Sequence, residues 1–308
     1  MKKTKRENKK FNPDISQNLS ALLNHTVNEP ILIKKMEKYF TPRPASLAKS
    51  EEEEKKINRK LSKISEKYGG PPQLLFIPEN QSTPPMYDTF IVRAIDEIIT
   101  MFKKCRYSIC KAHLYFVSKG FLEKYPNSFI NSSPEEINTV ILKILSERFF
   151  DEAEISYIRL ASYWDRVGQL LDFIYFNIRQ YERDVFPTVL DRIKINYLPI
   201  YPKIAKKKSW VRLREYQISE KTEGMKWLLS RRNLLIHSLH LSSNYKNVNE
   251  DHIYISSYNH LKESIHNKLK PQNEQEEINL LHVHLRKAAC LFYDVIELCN
   301  IKAETQNL

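Results

Sequence analysis

Apolar residues recur at intervals of three and four along this chain, and that period decides what it can fold into. Ile91, Ile95, Ile98, Phe102, Cys105, Ile109 and Ala112 form one such series. On an α-helix residues at this spacing share a face, whereas on a strand they scatter over both faces. Only five glycines occur in 308 residues, and alternating apolar–polar runs are scarce. The expected fold is all-α, an antiparallel helical bundle preceded by an N-terminal extension of helix and linker.

The extension spans residues 1–85. Its first ten residues carry Lys2, Lys3, Lys5, Arg6, Lys9 and Lys10 against Glu7 alone and read as a disordered tail. Pro30 is placed to open a short helix carrying Ile33, Met36 and Phe40. Ser50 and Glu53 have capping-box spacing, opening a charged helix with Ile57, Leu61, Ile64 and Tyr68 as its apolar stripe. Gly69-Gly70-Pro71-Pro72 ends it, and a linker with Pro78, Pro84 and Pro85 follows, in which Leu74 to Ile77 can dock as an extended segment.

The helical body is expected over residues 86–303. Its first helix carries the seam already described. Ser133 and Glu136 open a second, from Pro134 to about Phe149. A third runs from about Asp151 to Tyr181, and a shorter one lies between Pro187 and Pro199. One long helix from Glu215 to about His240 follows, with Met225, Leu228, Leu229, Leu235, Ile236 and Leu239 as its apolar positions. Residues 244–272 are polar, with a short strand pattern at His252 to Ser256. Glu274 to about Asn300 forms the last helix.

Net charge is +12, of which the first ten residues supply five; the remainder still leans basic, which suits a polyanionic partner. Lys206, Lys207 and Lys208 followed by Trp210 suit RNA, because cations meet phosphates while rings stack on bases. A solvated loop explains the same run equally well. Cys105, Cys110, Cys290 and Cys299 form no C-x-x-C pair and lie in apolar helical patterns, which reads as core thiols of a reducing cytoplasm. No segment has the apolar length of a membrane span, and no apolar run follows the basic start as in a secretion signal. No membrane partner is therefore expected. Gly-rich phosphate loops, G-x-S-x-G and H-E-x-x-H are absent from the chain, which removes the commonest signatures of nucleotide hydrolysis, serine hydrolysis and metalloproteolysis. His237 and His240 could reach one metal ion, but no third ligand stands at suitable spacing, so neither metal nor cofactor is expected. His282 and His284 point to opposite sides of one helix.

The segment with chemical potential is Arg231-Arg232-Asn233-Leu234-Leu235-Ile236-His237. Arg-Asn-x-x-x-His is expected by chance only roughly 0.03 times in a chain of this composition. An Arg fork holds phosphate through paired donors, and a His near its ordinary pKa moves protons at neutral pH. Asn233 and His237 are four apart and share a helix face. Arg232, four residues from Leu228 and from Ile236, falls inside the apolar stripe, and Arg231 is expected to face solvent. For His237 the plain alternative is a core His bonded to a carbonyl. Asp165, Gln169 and Asp172 draw a polar line on the third helix. Asp165 is placed to hold Arg232 from inside the bundle; it could equally face solvent or pair with Arg166.

This helix resembles the signature of the HEPN superfamily, helical domains of prokaryotic toxins, defence proteins and RNA-processing factors. Arg232, Asn233 and His237 match its Arg, polar and His positions, and Ser162 to Leu171 resembles the long helix that precedes the motif in some members. The resemblance implies a metal-independent endoribonuclease, a toxin or anti-phage effector, acting through the 2′-hydroxyl of RNA. It implies Arg232 as phosphate binder, His237 as general acid or base, and a site built by a homodimer; Asn233 is expected to orient the His or the Arg. Some HEPN toxins are controlled by an antitoxin that modifies a Tyr two residues after the His; here that position is Leu239. A regulatory partner of another kind stays open. The alternatives are a non-catalytic RNA- or nucleotide-binding adaptor and a structural partner in a larger complex.

Overall fold

The computed structural model describes residues 24–25, 27–35, 52, 55–56, 59–60, 90–126, 133–136, 140–178, 185–237 and 273–305. The described residues are helical, with no strand among them. The fold class is all-α, as the apolar period requires. Six helices carry the body: α1 (Phe90–Lys124), α2 (Leu142–Phe176), α3 (Val185–Arg192), α4 (Lys208–Ile218), α5 (Met225–His237) and α6 (Glu274–Thr305). A π-helical turn (Ile193–Tyr197) and a 3-10 turn (Pro202–Lys206) join α3 to α4. No described helix is long and apolar enough to cross a membrane.

The seam on α1 is buried along its length, from Ile95 through Ile98, Phe102, Cys105 and Ile109 to Ala112. It faces α2. Glu97 pairs with Arg166, the Phe102 ring lies 5.9 Å from Tyr163, Ser156 donates to Ser108, Lys111 pairs with Glu152, and Phe116 meets Phe149. One number climbs as the other falls, so α1 and α2 are antiparallel. Against α6 both numbers climb: Tyr157 donates to Glu277, Tyr163 to the Ala288 carbonyl and Tyr175 to the Leu298 carbonyl. Helix α2 is therefore the central element, flanked by α1, α3, α5 and α6. Its 35 residues extend roughly 52 Å at 1.5 Å per residue.

Several element boundaries differ from the sequence expectations. No break occurs near Asp151, because Phe149, Phe150 and Ala153 are all buried against the core and no Gly or Pro interrupts the run. Helix α2 instead ends at Phe176, where Asn177 takes a left-handed φ of 55° and donates back to the Phe173 carbonyl. The capping box at Ser133 forms as expected: Glu136 N–H donates to Ser133 Oγ at 3.2 Å, and Ser133 N–H to Glu136 Oε2 at 3.0 Å. Pro30 lies within the helix over 27–35 and does not open it. In that helix Ile33 is fully buried and Glu29 pairs with Lys111. Lys60 pairs with Glu297 and sits over the Tyr293 ring. These described pieces of the extension thus rest on the helical body. The Ser50–Glu53 box, the linker segment Leu74 to Ile77 and the strand pattern at His252 to Ser256 lie outside the described residues. Cys105, Cys110 and Cys299 are core thiols as expected, whereas Cys290 is exposed and lines a cleft beside Lys287 and Asp294.

Gly168 marks a close approach between α2 and α3. A Cβ there would lie 2.4 Å from the Phe186 backbone nitrogen at the start of α3. Gly168→Ala is expected to destabilise the protein by about 1–3 kcal/mol, because backbone cannot retreat as a side-chain tip can. An unchanged urea midpoint in this variant would contradict the crossing.

Two histidines on α6 are held neutral by burial. His282 and His284 are each pushed down to about 4 from the usual 6.5, in both cases by desolvation first. His282 additionally faces His113, whose Nδ1 lies 2.9 Å from His282 Nε2, and His113 is itself lowered by burial. In the unfolded chain these rings take up protons near pH 6.5. The stability they confer is present above that pH and is lost as pH falls toward 4. The urea midpoint should therefore drop between pH 6.5 and 4, and the drop should shrink in His282→Gln, whose side chain does not titrate.

Candidate functional site

The motif helix is shorter than its apolar pattern suggests. Residues 219–224 break the run into α4 and α5, and the break depends on Gly224. A Cβ at that position would sit 2.3 Å from the Ser219 carbonyl oxygen, so only glycine permits the turn to close. The Gly224 carbonyl then accepts from Leu228 N–H and starts α5. His284 secures the turn from α6. Its Nε2 lies 2.9 Å from the Thr222 carbonyl, which can only accept, so this nitrogen carries the proton. The His284 ring stacks on Trp227 at 5.5 Å and 11°.

The rotation of α5 is set by Arg231, and here the sequence expectation is reversed. Arg231 does not face solvent. It is fully buried, as is its partner Glu277 on α6. The guanidinium donates to Glu277 Oε1, and Tyr157 on α2 donates to Oε2 at 2.6 Å. The guanidinium carbon lies 5.5 Å from the Tyr157 ring centre and 5.4 Å from that of Trp227, two rings that meet edge to face at 5.7 Å, so the cation rests against both. Burial, with the Glu277 charge beside it, holds the Tyr157 hydroxyl well above its usual pKa, so it stays a donor. The buried residues of α5 are thus Met225, Trp227, Leu228, Arg231 and Leu235.

Arg232 and Asn233 lie off the buried stripe. Arg232 is half-buried, Asn233 is exposed, and Ile236 is 50% exposed. His237 is the last residue of α5, one turn after Asn233 along the backbone; its side chain, like Leu239 and His240, lies outside the described residues. Arg232 is therefore not part of the apolar stripe but stands at its edge, beside solvent. Arg232 keeps its Nε shielded from solvent, while the neighbouring Asn233 carboxamide is exposed.

Asp165 is buried on α2, which removes the solvent-facing alternative, and Arg166 turns to Glu97. Asp172, further along the same polar line, is buried and paired with Arg192 at 3.0 Å. Lys206, Lys207 and Lys208 are exposed. Trp210 is only 5% exposed and belongs to the core. Its expected role of stacking on bases is corrected: α4 begins at Lys208, and the indole in its first turn belongs to the same core cluster as Ile204 and Leu213. A cleft of about 510 Å³ opens between α4, the 219–223 turn and α6, around Arg212, Lys221, Lys287 and Asp294. It contains no residue of α5.

Sequence reasoning missed the Glu277–Tyr157–Trp227 enclosure of Arg231. The available signal was Trp227 and Leu235, each four residues from Arg231. Arg232 has the same flanking by Leu228 and Ile236, so that signal is balanced. No family model, no curated protein and no solved structure matches this chain.

Proposed function

We propose that the chain is a metal-independent endoribonuclease of HEPN type that works as a homodimer with an α5 from each protomer at the shared site. The observation that supports this most directly is the division of labour between the adjacent arginines. Arg231 is consumed by the core and fixes the helix, which puts Arg232 at the edge of the buried stripe and Asn233 at the surface. In this reading Arg232 stabilises charge on the scissile phosphate, and His237 moves the proton of the attacking 2′-hydroxyl or of the leaving oxygen. Asn233 orients one of them, and Asp165 supports Arg232 from the interior of the bundle. Such chemistry needs the 2′-hydroxyl as nucleophile and so selects RNA over DNA. Ile236 lies exposed on the same face and gives a partner α5 an apolar contact across a two-fold axis. A role as toxin or defence effector, restrained by a regulatory partner in the cytoplasm, is the setting this activity fits. The test is cleavage of RNA by the purified chain in excess EDTA, with 2′,3′-cyclic phosphate ends on the products. A strict metal requirement would overturn the mechanism.

A further inference from the structure

The connection between α3 and α4 is a rigid tip with a surface unlike the rest of the body. Between Asp191 and Glu215 the sequence contains no acidic residue. It contains Lys194, Lys203, Lys206, Lys207 and Lys208, all exposed and, among the described residues, without a carboxylate partner. The tip also exposes two large aliphatic side chains, Ile195 and Ile200, each 68% accessible. These are the most exposed large hydrophobic residues among those described.

This exposure is built into the tip. Ile193, Tyr197 and Ile204 are buried and anchor it from beneath. The Tyr197 ring packs on Tyr175 at 4.9 Å and on Tyr201 at 4.7 Å, and Lys302 sits 4.3 Å over it. Leu198 N–H bonds the Ile193 carbonyl, and Tyr201 N–H bonds that of Tyr197. The wide π turn places Tyr197 inward and leaves Ile195 and Ile200 outward on consecutive turns.

Exposed aliphatic groups ringed by lysines are suited to one kind of partner. RNA would use the lysines but gains little from isoleucine, which has no π-face for a base, and Trp210 is buried. An anionic bilayer uses both: its headgroups meet the ammonium groups, and its acyl boundary receives the isoleucines. We propose that this tip docks the protein peripherally on an anionic membrane surface, with Ile195 and Ile200 inserted and the five lysines on lipid phosphates and carboxylates. The proposal is independent of the ribonuclease reading; it departs from the expectation of no membrane partner, which rests on the lack of a spanning segment, and peripheral docking needs none.

Vesicle co-sedimentation of the full chain tests it. Binding is expected to vesicles of phosphatidylcholine with about one-third phosphatidylserine, and not to phosphatidylcholine alone. It should weaken steeply between about 50 mM and about 500 mM salt. Ile195→Ser with Ile200→Ser should lower the partition coefficient roughly tenfold or more at low salt. Lys206→Gln, Lys207→Gln and Lys208→Gln together should lower it about 100-fold, at about fivefold per lysine. All these side chains are at the surface, and unchanged circular dichroism confirms the fold. Wild-type affinity in both sets of variants would overturn the proposal and assign any vesicle binding to the basic N-terminus. Loss in the lysine set alone would overturn the insertion of the isoleucines. Absence of vesicle binding together with weakened binding of single-stranded RNA in the lysine set would make the tip an RNA grip and overturn the membrane assignment.

Discussion

His237→Ala is expected to lower RNA cleavage by about 10²–10⁴-fold, the range that a positioned general acid or base contributes. Arg232→Ala should lower it by about 10²–10³-fold, as removal of one charge-stabilising donor does elsewhere. Both variants should unfold at nearly the wild-type urea concentration. Arg232 stands at the edge of the buried stripe, and His237 ends its helix. If two protomers share the site, mixing the two inactive variants tests the sharing. Heterodimers that bring one intact Arg232 and one intact His237 to the same phosphate should recover part of the activity. Undiminished cleavage in both single variants would remove the ribonuclease reading from α5. A monomer that cleaves RNA would remove the shared site.

Arg231 lies one residue away and should behave in the opposite manner. Arg231→Met or Glu277→Leu is expected to destabilise the protein by about 3–5 kcal/mol, because each leaves its charged partner buried and unmatched. Replacing both together, Arg231→Met with Glu277→Leu, should cost far less, since neither charge then remains in the core. Urea denaturation of the two single variants and the double variant measures the coupling directly. A single-variant cost below about 0.5 kcal/mol, typical of surface positions, would contradict the buried placement of Arg231. Arginine substitutions at neighbouring positions would thus separate into one that removes activity from a stable protein and one that removes stability.

The sequence by itself determined the fold class. The three–four spacing on α1 specifies which face is buried whatever lies opposite, and Ile95, Ile98, Phe102, Cys105, Ile109 and Ala112 are all inside. The capping box at Ser133 is equally local, since donor and acceptor are three residues apart. The last helix is opened by a run of Glu residues at its N-terminus and appears where the pattern places it. Tertiary structure decided the rotation of α5. Arg231 and Arg232 each have apolar residues four positions before and after, so the local pattern admits either arginine inside. The choice rests on Glu277, 46 residues further along the chain, and on Tyr157 from a third helix. It likewise decided that Trp210 is core while Ile195 and Ile200 are surface. Hydropathy favours burying all three, but the packing of the π turn on Tyr175, Tyr201 and Lys302 turns Tyr197 inward and the two isoleucines outward, while Trp210 is buried from the first turn of α4. Residues that form an element encode its period, whereas the partners that orient it come from elsewhere in the chain.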